Sequence, residues 1–304
     1  MPRSPAYRRP GPARRALVAG FSVLASLLAA VLIVVLGGLT ALRLEYTGTP
    51  ADSARSRGND ALWLGHAWVD GRKSDADIAG LVTRLRGSGV RDLYVHIGPL
   101  EHDGTLSAAR YPTAETLIRS LHRALPRVRV QAWLGDVVGK SSPTKPTKLD
   151  LSSPATRERL TASALQAVTE TPFDGVHFDL EPIADGNRDY PDVLARTRAA
   201  LNARGAVLSV AAHQIEPADK LVEFARLGGA ERTKWWTPAY FTEIASRVDQ
   251  VAVMAYDTWM PTRGLFGGYV TRQTELALAN TPSTTDLLIG LPFFHDDTIG
   301  HHES

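Results

Sequence analysis

The sequence predicts an α/β protein with a (β/α)8 TIM-barrel-like fold, in which only seven strands are evident, preceded by one N-terminal transmembrane helix. Two observations support this prediction. An uncharged apolar stretch of 27 residues runs from Ala16 to Leu42, which exceeds the roughly 20 residues that a bilayer-spanning helix needs. From Ala61 onward, short runs of apolar, β-branched and aromatic residues alternate with amphipathic segments, which is typical of strands separated by helices.

The N-terminal segment is predicted to place the chain in the cell membrane. Residues 1–15 contain five arginines and no acidic residue, so by the positive-inside rule this basic arm stays cytoplasmic and the C-terminal domain is extracytoplasmic. A cleaved signal peptide is the alternative, but residues 16–42 exceed the usual apolar run and a poor cleavage site follows them. We therefore expect a single-pass signal anchor at 16–42. The polar residues 43–60 then form a linker to a barrel domain at 61–304.

Composition narrows the classes of function. The 304 residues include no cysteine, which excludes disulfides, thiolate nucleophiles and cysteine-ligated metals. The net charge of +2 depends on the basic arm, because without its five arginines the chain holds 29 basic and 32 acidic residues. The remainder is slightly acidic and therefore gives no indication of nucleic-acid binding.

Seven strand candidates follow the linker. They span residues 61–68, 92–98, 128–135, 175–181, 206–212, 250–257 and 287–292. One unbroken series of strands and helices fits a TIM barrel better than a doubly wound sheet, and no glycine-rich nucleotide motif follows any strand. Only 12 residues follow Pro292, too few for another helix and strand. The chain is accordingly expected to be either a fragment or a barrel open by one strand.

Helix signals occupy the intervals between these strands. Apolar residues recur at helical spacing between Ile78 and Leu85. Ser153 and Thr237 each precede a proline, the pattern of an N-cap followed by proline at the first helical position. Pro191 is expected to open a further helix that Gly205 ends. The helices thus fall where parallel strands require crossover connections.

The strand candidate at 175–181 carries three ionisable residues on one face. His177, Asp179 and Glu181 alternate with apolar residues, and side chains two apart on a strand share a face. Active sites of TIM barrels form at the carboxyl ends of the strands, where Asp179 and Glu181 are expected. Two carboxyls about 6–7 Å apart along a strand can perturb each other's pKa, so that one serves as a general acid. A satisfied polar cluster filling the barrel is the alternative.

The same segment resembles a known family. Asp174 and Gly175 open it, and Asp179 and Glu181 close it, in a pattern similar to the DGxDxDxE signature strand of glycoside hydrolase family 18, the chitinase-like family. His177 stands where this family usually has the first aspartate of its Asp-x-Asp-x-Glu triplet. The histidine in place of this aspartate indicates a divergent member of the family.

A second motif supports the resemblance. Residues 254–257 read Met-Ala-Tyr-Asp and are similar to the Met-x-Tyr-Asp end of the family's sixth strand. They lie on the sixth strand candidate of this chain, and residues 287–292 are similar to the family's seventh-strand segment. The resemblance therefore covers roughly residues 61–294.

The resemblance implies a substrate-assisted retaining glycosidase, a recognised exception to the two-carboxylate mechanism. It implies that Glu181 is the catalytic acid and base, and that Asp179 orients the 2-acetamido group of the substrate. Tyr256 would hydrogen-bond the acetamide carbonyl, and Asp257 would bind the acetamide or sugar hydroxyls. No cofactor is implied.

Five further residues are candidate substrate contacts. His177 could instead hydrogen-bond Asp179 or be an ordinary core histidine. Trp133 and Trp259 could stack on sugar rings, His213 follows the fifth strand at the barrel mouth, and Met254 opens the Met-x-Tyr-Asp motif. Ordinary packing is the alternative for the tryptophans. No spacing typical of metal ligands occurs, so no metal site is assigned.

Two functions follow as hypotheses. The first is a membrane-anchored extracytoplasmic glycosidase acting on a β-linked N-acetylhexosamine glycan or oligosaccharide. The alternative is a noncatalytic glycan-binding or cell-envelope scaffold protein on the same fold, suggested by His177 and by the missing eighth strand. The expected partners are a glycan and the membrane, with no nucleic acid.

Overall fold

The computed structural model of the chain describes residues 12–48, 55–142, 144–229, 233–256 and 258–292. Seven parallel strands form the main sheet: β1 (Asp60–Leu64), β2 (Val90–His96), β3 (Arg129–Val137), β4 (Gly175–Glu181), β5 (Val207–Ala212), β8 (Gln250–Met254) and β9 (Asp286–Gly290). They are hydrogen-bonded in chain order from β1 to β9. Between β5 and β8 lie two short strands, β6 (Gln214–Ile215) and β7 (Trp235–Trp236), which pair with each other in a separate two-stranded sheet.

Helix α1 (Pro12–Glu45) precedes the first strand, and further helices follow the strands as the sequence predicts. They are α2 (Asp75–Leu85), α3 (Ala114–Ala124), α4 (Pro154–Glu170), α5 (Asp189–Asn202), α6 (Leu221–Leu227), α7 (Pro238–Ala245) and α8 (Arg263–Asn280). Ser153 and Thr237 are confirmed as N-caps, because each side chain accepts a hydrogen bond from the backbone N–H of the third residue of its helix. Helix α5 begins two residues before Pro191, and Gly205 in the turn after it has a φ of 67°.

The barrel is nearly closed. In the described part of the chain β1 and β9 are not paired, yet a Cβ built on Gly290 would lie 3.2 Å from the indole of Trp63. Their carboxyl ends therefore approach each other closely. At their amino ends a cleft of about 880 Å³ separates them, with Arg55, Arg57 and Asp286 in its lining. The TIM-barrel-like class and the seven evident strands are confirmed.

Successive side chains of β4 point alternately to the helices outside the barrel and to the barrel interior. Val176, Phe178 and Leu180 are buried and belong to the apolar core. Side chains from α3, α4 and α5 form part of the same core, as expected for helices that cover the outside of a sheet. The other face of β4 directs its polar side chains into the barrel, where the candidate site lies.

Helix α1 is continuous over 34 residues. Within its segment Gly20–Glu45, the most apolar window of 18 residues has a mean hydropathy of 2.6, and none of that window is buried in the protein. By length and composition it could cross a membrane.

Candidate active site

The candidate site lies at the carboxyl end of β4. Glu181, the last residue of the strand, keeps 46% of its side chain exposed, whereas Asp179 is mostly buried two residues earlier. Gly135 on β3 lies opposite Asp179 in the parallel register. A Cβ at Gly135 would lie 3.2 Å from the carbonyl oxygen of Asp179 and 3.6 Å from the Trp133 indole nitrogen. The glycine thus leaves room for these two side chains to meet.

Asp179 is bonded through one oxygen only. Trp133 Nε1 donates a hydrogen bond of 3.0 Å to its Oδ2, while its Oδ1 is buried and has no hydrogen-bond partner in the described residues. Burial raises the pKa of Asp179, and the hydrogen bond from Trp133 opposes that rise. Desolvation therefore favours the protonated carboxyl. Burial is the largest cause of the shift in the pKa of Asp179. The expected mutual perturbation of the two carboxyls remains a prediction.

His213 lies beside the exposed carboxyl. Its Nε2 is 3.8 Å from Glu181 Oε1 and accepts a hydrogen bond of 3.3 Å from the Ile183 backbone. Burial lowers the pKa of His213 to about 4, partly offset by a backbone hydrogen bond with Lys234. The ring stacks on Trp236 with a centroid separation of 5.1 Å. A neutral imidazole therefore borders Glu181 from a fixed position.

His177 lies fully buried inside the barrel. Trp63 Nε1 donates to its Nε2 at 3.1 Å, so Nε2 is the acceptor and Nδ1 carries the proton that is shared with Ser209 Oγ at 2.7 Å. Burial lowers the pKa of His177 to about 3. Both ring nitrogens are engaged away from Asp179, and the side chain is not exposed. This geometry argues against the predicted substrate contact and supports the interpretation as a core histidine.

A buried polar chain continues from this histidine to the amino end of the barrel. Ser209 Oγ donates to Gln131 Oε1 at 2.7 Å, and Gln131 Nε2 donates to Asp92 Oδ1 at 3.0 Å. Arg129 donates to both oxygens of Asp92, at 2.7 and 2.8 Å. Each buried group thereby finds a partner, as buried polar groups require.

This hydrogen-bonded series of buried side chains was not predicted from the sequence, although its polar residues could have been recognised there. Polar residues interrupt otherwise apolar strands at Asp92, Gln131, Ser209 and Gln250, and all four are buried. Polar residues at inward positions of several strands indicate a hydrogen-bonded barrel interior. Their pairing could not be predicted, because it joins strands distant in the sequence.

The remaining predicted residues lie in the middle of β3 (Trp133), at the carboxyl end of β8 (Met254) and in the loop that follows β8 (Tyr256 and Trp259). Trp133 is half-buried and packs edge-on against His96, with the two ring centroids 4.9 Å apart. Its indole N–H donates to Asp179. Tyr256 and Met254 both accept, through their backbone carbonyls, hydrogen bonds from Gln214 Nε2. Trp259 is 70% exposed.

Asp257, the last residue of the second motif, lies outside the described residues. Ring contact with a sugar remains a prediction for Trp133 and Trp259. The roles predicted for Tyr256 and Met254 likewise remain predictions.

Comparisons with known proteins agree with this architecture. The model of the family described as Glycosyl hydrolases family 18 matches residues 100–300, more than half of the chain, including the whole of β4. The chain therefore belongs to glycosyl hydrolase family 18. A comparison with curated proteins finds no match.

Several solved structures share the fold. The spore cortex-lytic enzyme SleL of Bacillus megaterium QM B1551 has a TM-score of 0.55 and 16% identity, covering 80% of this chain and 52% of that one. The chitinase of Chromobacterium violaceum ATCC 12472 has a TM-score of 0.53 and 14% identity, covering 77% and 68%. The Ostrinia furnacalis Group IV chitinase in complex with allosamidin has a TM-score of 0.52 and 18% identity, covering 77% and 65%. This chain thus spans between 52% and 68% of the length of these structures.

Proposed function

We propose that the chain is a membrane-anchored glycoside hydrolase that cleaves a β-linked N-acetylhexosamine glycan outside the cytoplasm. One observation carries the proposal. In a member of glycosyl hydrolase family 18, an exposed carboxyl, Glu181, ends the fourth strand beside a buried carboxyl, Asp179, at the barrel face where active sites form. The apolar α1 supports the membrane anchor.

Glu181 acts as the acid and then as the base. Its proton passes to the glycosidic oxygen while the carbonyl oxygen of the substrate's 2-acetamido group bonds to the anomeric carbon, and the leaving sugar departs as an alcohol. The Glu181 carboxylate then takes a proton from water, whose oxygen bonds to the anomeric carbon and releases the acetamide. Partial exposure of Glu181 suits both steps, because the leaving sugar and the water must reach it.

Asp179 orients the acetamide. Its buried Oδ1 has no hydrogen-bond partner in the described part of the chain, and a side-chain rotation toward the mouth would give it one in the acetamide group. Trp133 holds the other oxygen. Tyr256, and Asp257 outside the described residues, are proposed to bind the acetamide and neighbouring hydroxyls. Because the acetamide oxygen is the nucleophile, the mechanism requires no carboxylate nucleophile.

The stereochemistry of the product tests this mechanism. We expect the full chain to hydrolyse N-acetylglucosamine oligosaccharides with retention of the anomeric configuration, as measured by proton NMR of the fresh product. Matched oligosaccharides with a 2-hydroxyl in place of the acetamide should not be cleaved, because they lack the nucleophile. Glycan binding without turnover across a panel of chitin and peptidoglycan fragments would contradict the proposal and favour a binding protein.

Replacement of Trp133 by phenylalanine tests the coupling to Asp179. The variant loses the hydrogen bond that lowers the pKa of Asp179, so that pKa should rise further. The limb of the pH profile of kcat/KM that reports Asp179 should move to higher pH. Trp68→Phe is the matched control. Trp68 follows β1 and its ring packs near Lys73, so this variant should keep the wild-type pH profile. An unshifted profile in Trp133→Phe would show that this bond does not tune the site.

A further inference from the structure

The end of α1 packs tightly against the first half of α8. Any Cβ at Gly268 would overlap the Leu42 carbonyl oxygen, and one at Gly267 would overlap the ring of Tyr46. Small residues allow such close approach of two helix backbones. The contact begins near Leu39, which is partly buried, whereas the large apolar side chains of α1 from Phe21 to Leu36 are exposed. The apolar helix is thus joined to the barrel by α8 and otherwise projects from it.

The two helices run in the same direction at this contact. Arg43 lies against Gly264 near the start of α8, and Glu45 lies within electrostatic reach of Arg272 and Glu275, about two turns further on. Helical side chains tilt toward the amino end of their own helix, so these pairs fit a parallel arrangement. The chain after α1 agrees, since Arg55 lines the cleft at the amino ends of the strands.

This direction fixes the side of the barrel from which α1 projects. Helix α8 follows the carboxyl end of β8, so its own amino end lies on the mouth face. This face is defined here as the segments that follow the carboxyl ends of the strands, including α6, whose Arg226 donates to Asp185 in the loop after β4. Because α1 is parallel to α8 and meets it near Gly268, residues 20–36 extend beyond that end. The apolar helix therefore leaves the barrel on the same side as Asp179 and Glu181.

Most of the exposed apolar side chains of the barrel lie on this same side. Among the described residues after Tyr46, six large apolar side chains are exposed. Five belong to the mouth face: Val137, Phe224, Leu227, Trp259 and Leu291. The sixth, Leu278, lies near the opposite end of α8. Exposed apolar and aromatic side chains suit a bilayer interface, as do the exposed lysines of the loop after β3, Lys140, Lys145 and Lys148.

We infer that the mouth face is apposed to the lipid headgroups of the bilayer in which α1 is anchored. The inference rests on the membrane anchor of the proposed function and deepens it, because the site then meets glycan held at the bilayer surface. Contact through α8 keeps the barrel from swinging freely on its linker. A site that faces the bilayer is better placed to reach a glycan attached to a membrane lipid than a glycan polymer located away from the membrane.

Two single cysteines in the cysteine-free full chain test the inference. Phe224→Cys on the mouth face and Leu278→Cys at the other end of α8 replace side chains of similar exposure, 64% and 61%. Each is labelled with a fluorophore in nanodiscs of phosphatidylcholine and phosphatidylglycerol that contain a headgroup-linked quencher. We expect severalfold stronger quenching at position 224, because Leu278 lies about 22 Å along α8 from Arg263, away from the mouth face. Equal quenching, or stronger quenching at position 278, would overturn the inference.

Disruption of the helix contact provides the control. Gly268→Leu should bring the two quenching values together, because leucine cannot fit against Leu42, whereas Gly37→Leu, where a Cβ meets nothing within 4 Å, should keep the difference. An unchanged difference in Gly268→Leu would refute the role of the α1–α8 contact. Failure to enter nanodiscs would refute the anchor itself. Hydrolysis of soluble oligosaccharide by the same preparation reports the glycosidase proposal separately.

Discussion

Glu181→Gln is expected to lower kcat by about 100- to 10,000-fold, the range in which general acid–base groups contribute. Glutamine keeps the size and most of the polarity of the side chain but cannot give a proton to the leaving sugar or take one from water. Since 46% of the Glu181 side chain is exposed, the substitution should leave folding unchanged. Steady-state hydrolysis of an N-acetylglucosamine oligosaccharide, together with circular dichroism, measures both effects.

Glu223→Gln is the matched control. Glu223 is exposed in α6 on the same mouth face, so its substitution removes one carboxylate near the site without touching the proposed chemistry. Wild-type turnover in Glu223→Gln and loss in Glu181→Gln would locate the proton transfer. Equal rates in all three proteins would show that Glu181 is not the acid.

The fold could be predicted because its signals are local. Strand β4 has the bounds that alternation predicts, Gly175–Glu181, and each N-cap followed by proline opens the expected helix. Strand ends were less predictable. The sixth strand candidate stops at Met254 rather than at residue 257, because the Ala255 N–H turns to the carbonyls of Val253 and Gly290. That contact with the next strand cannot be read from a local pattern.

The site was predictable only in part, because its environment is assembled from distant residues. The pattern along β4 located Asp179 and Glu181, but the partner of Asp179 comes from Trp133, 46 residues away. His177 is held by Trp63, 114 residues away in the sequence. The sequence therefore identified the candidate chemistry, whereas the hydrogen bonds that determine protonation required the structure.

The buried histidines have a consequence for stability. His177 and His213 are buried and have pKa values lowered from 6.5 to about 3 and about 4, in both cases mainly by desolvation. The unfolded chain therefore binds protons at these positions more readily than the folded chain does. Their contribution to stability is fully present above pH 6.5 and is lost as the pH falls toward the folded-state values.

We therefore expect the free energy of unfolding to fall steeply between pH 6.5 and 4, by about 3 kcal/mol for each of the two histidines at 1.36 kcal/mol per pKa unit. Together these losses rival the total stability of a typical domain, about 5–15 kcal/mol. Urea unfolding of the full chain in detergent, followed by tryptophan fluorescence at several pH values, measures the decline. In His177→Gln one titrating group is gone, so the slope should shrink by about one proton, or 1.36 kcal/mol per pH unit. The same slope in both proteins would mean that His177 is protonated in the folded state, contrary to its hydrogen bonds with Trp63 and Ser209.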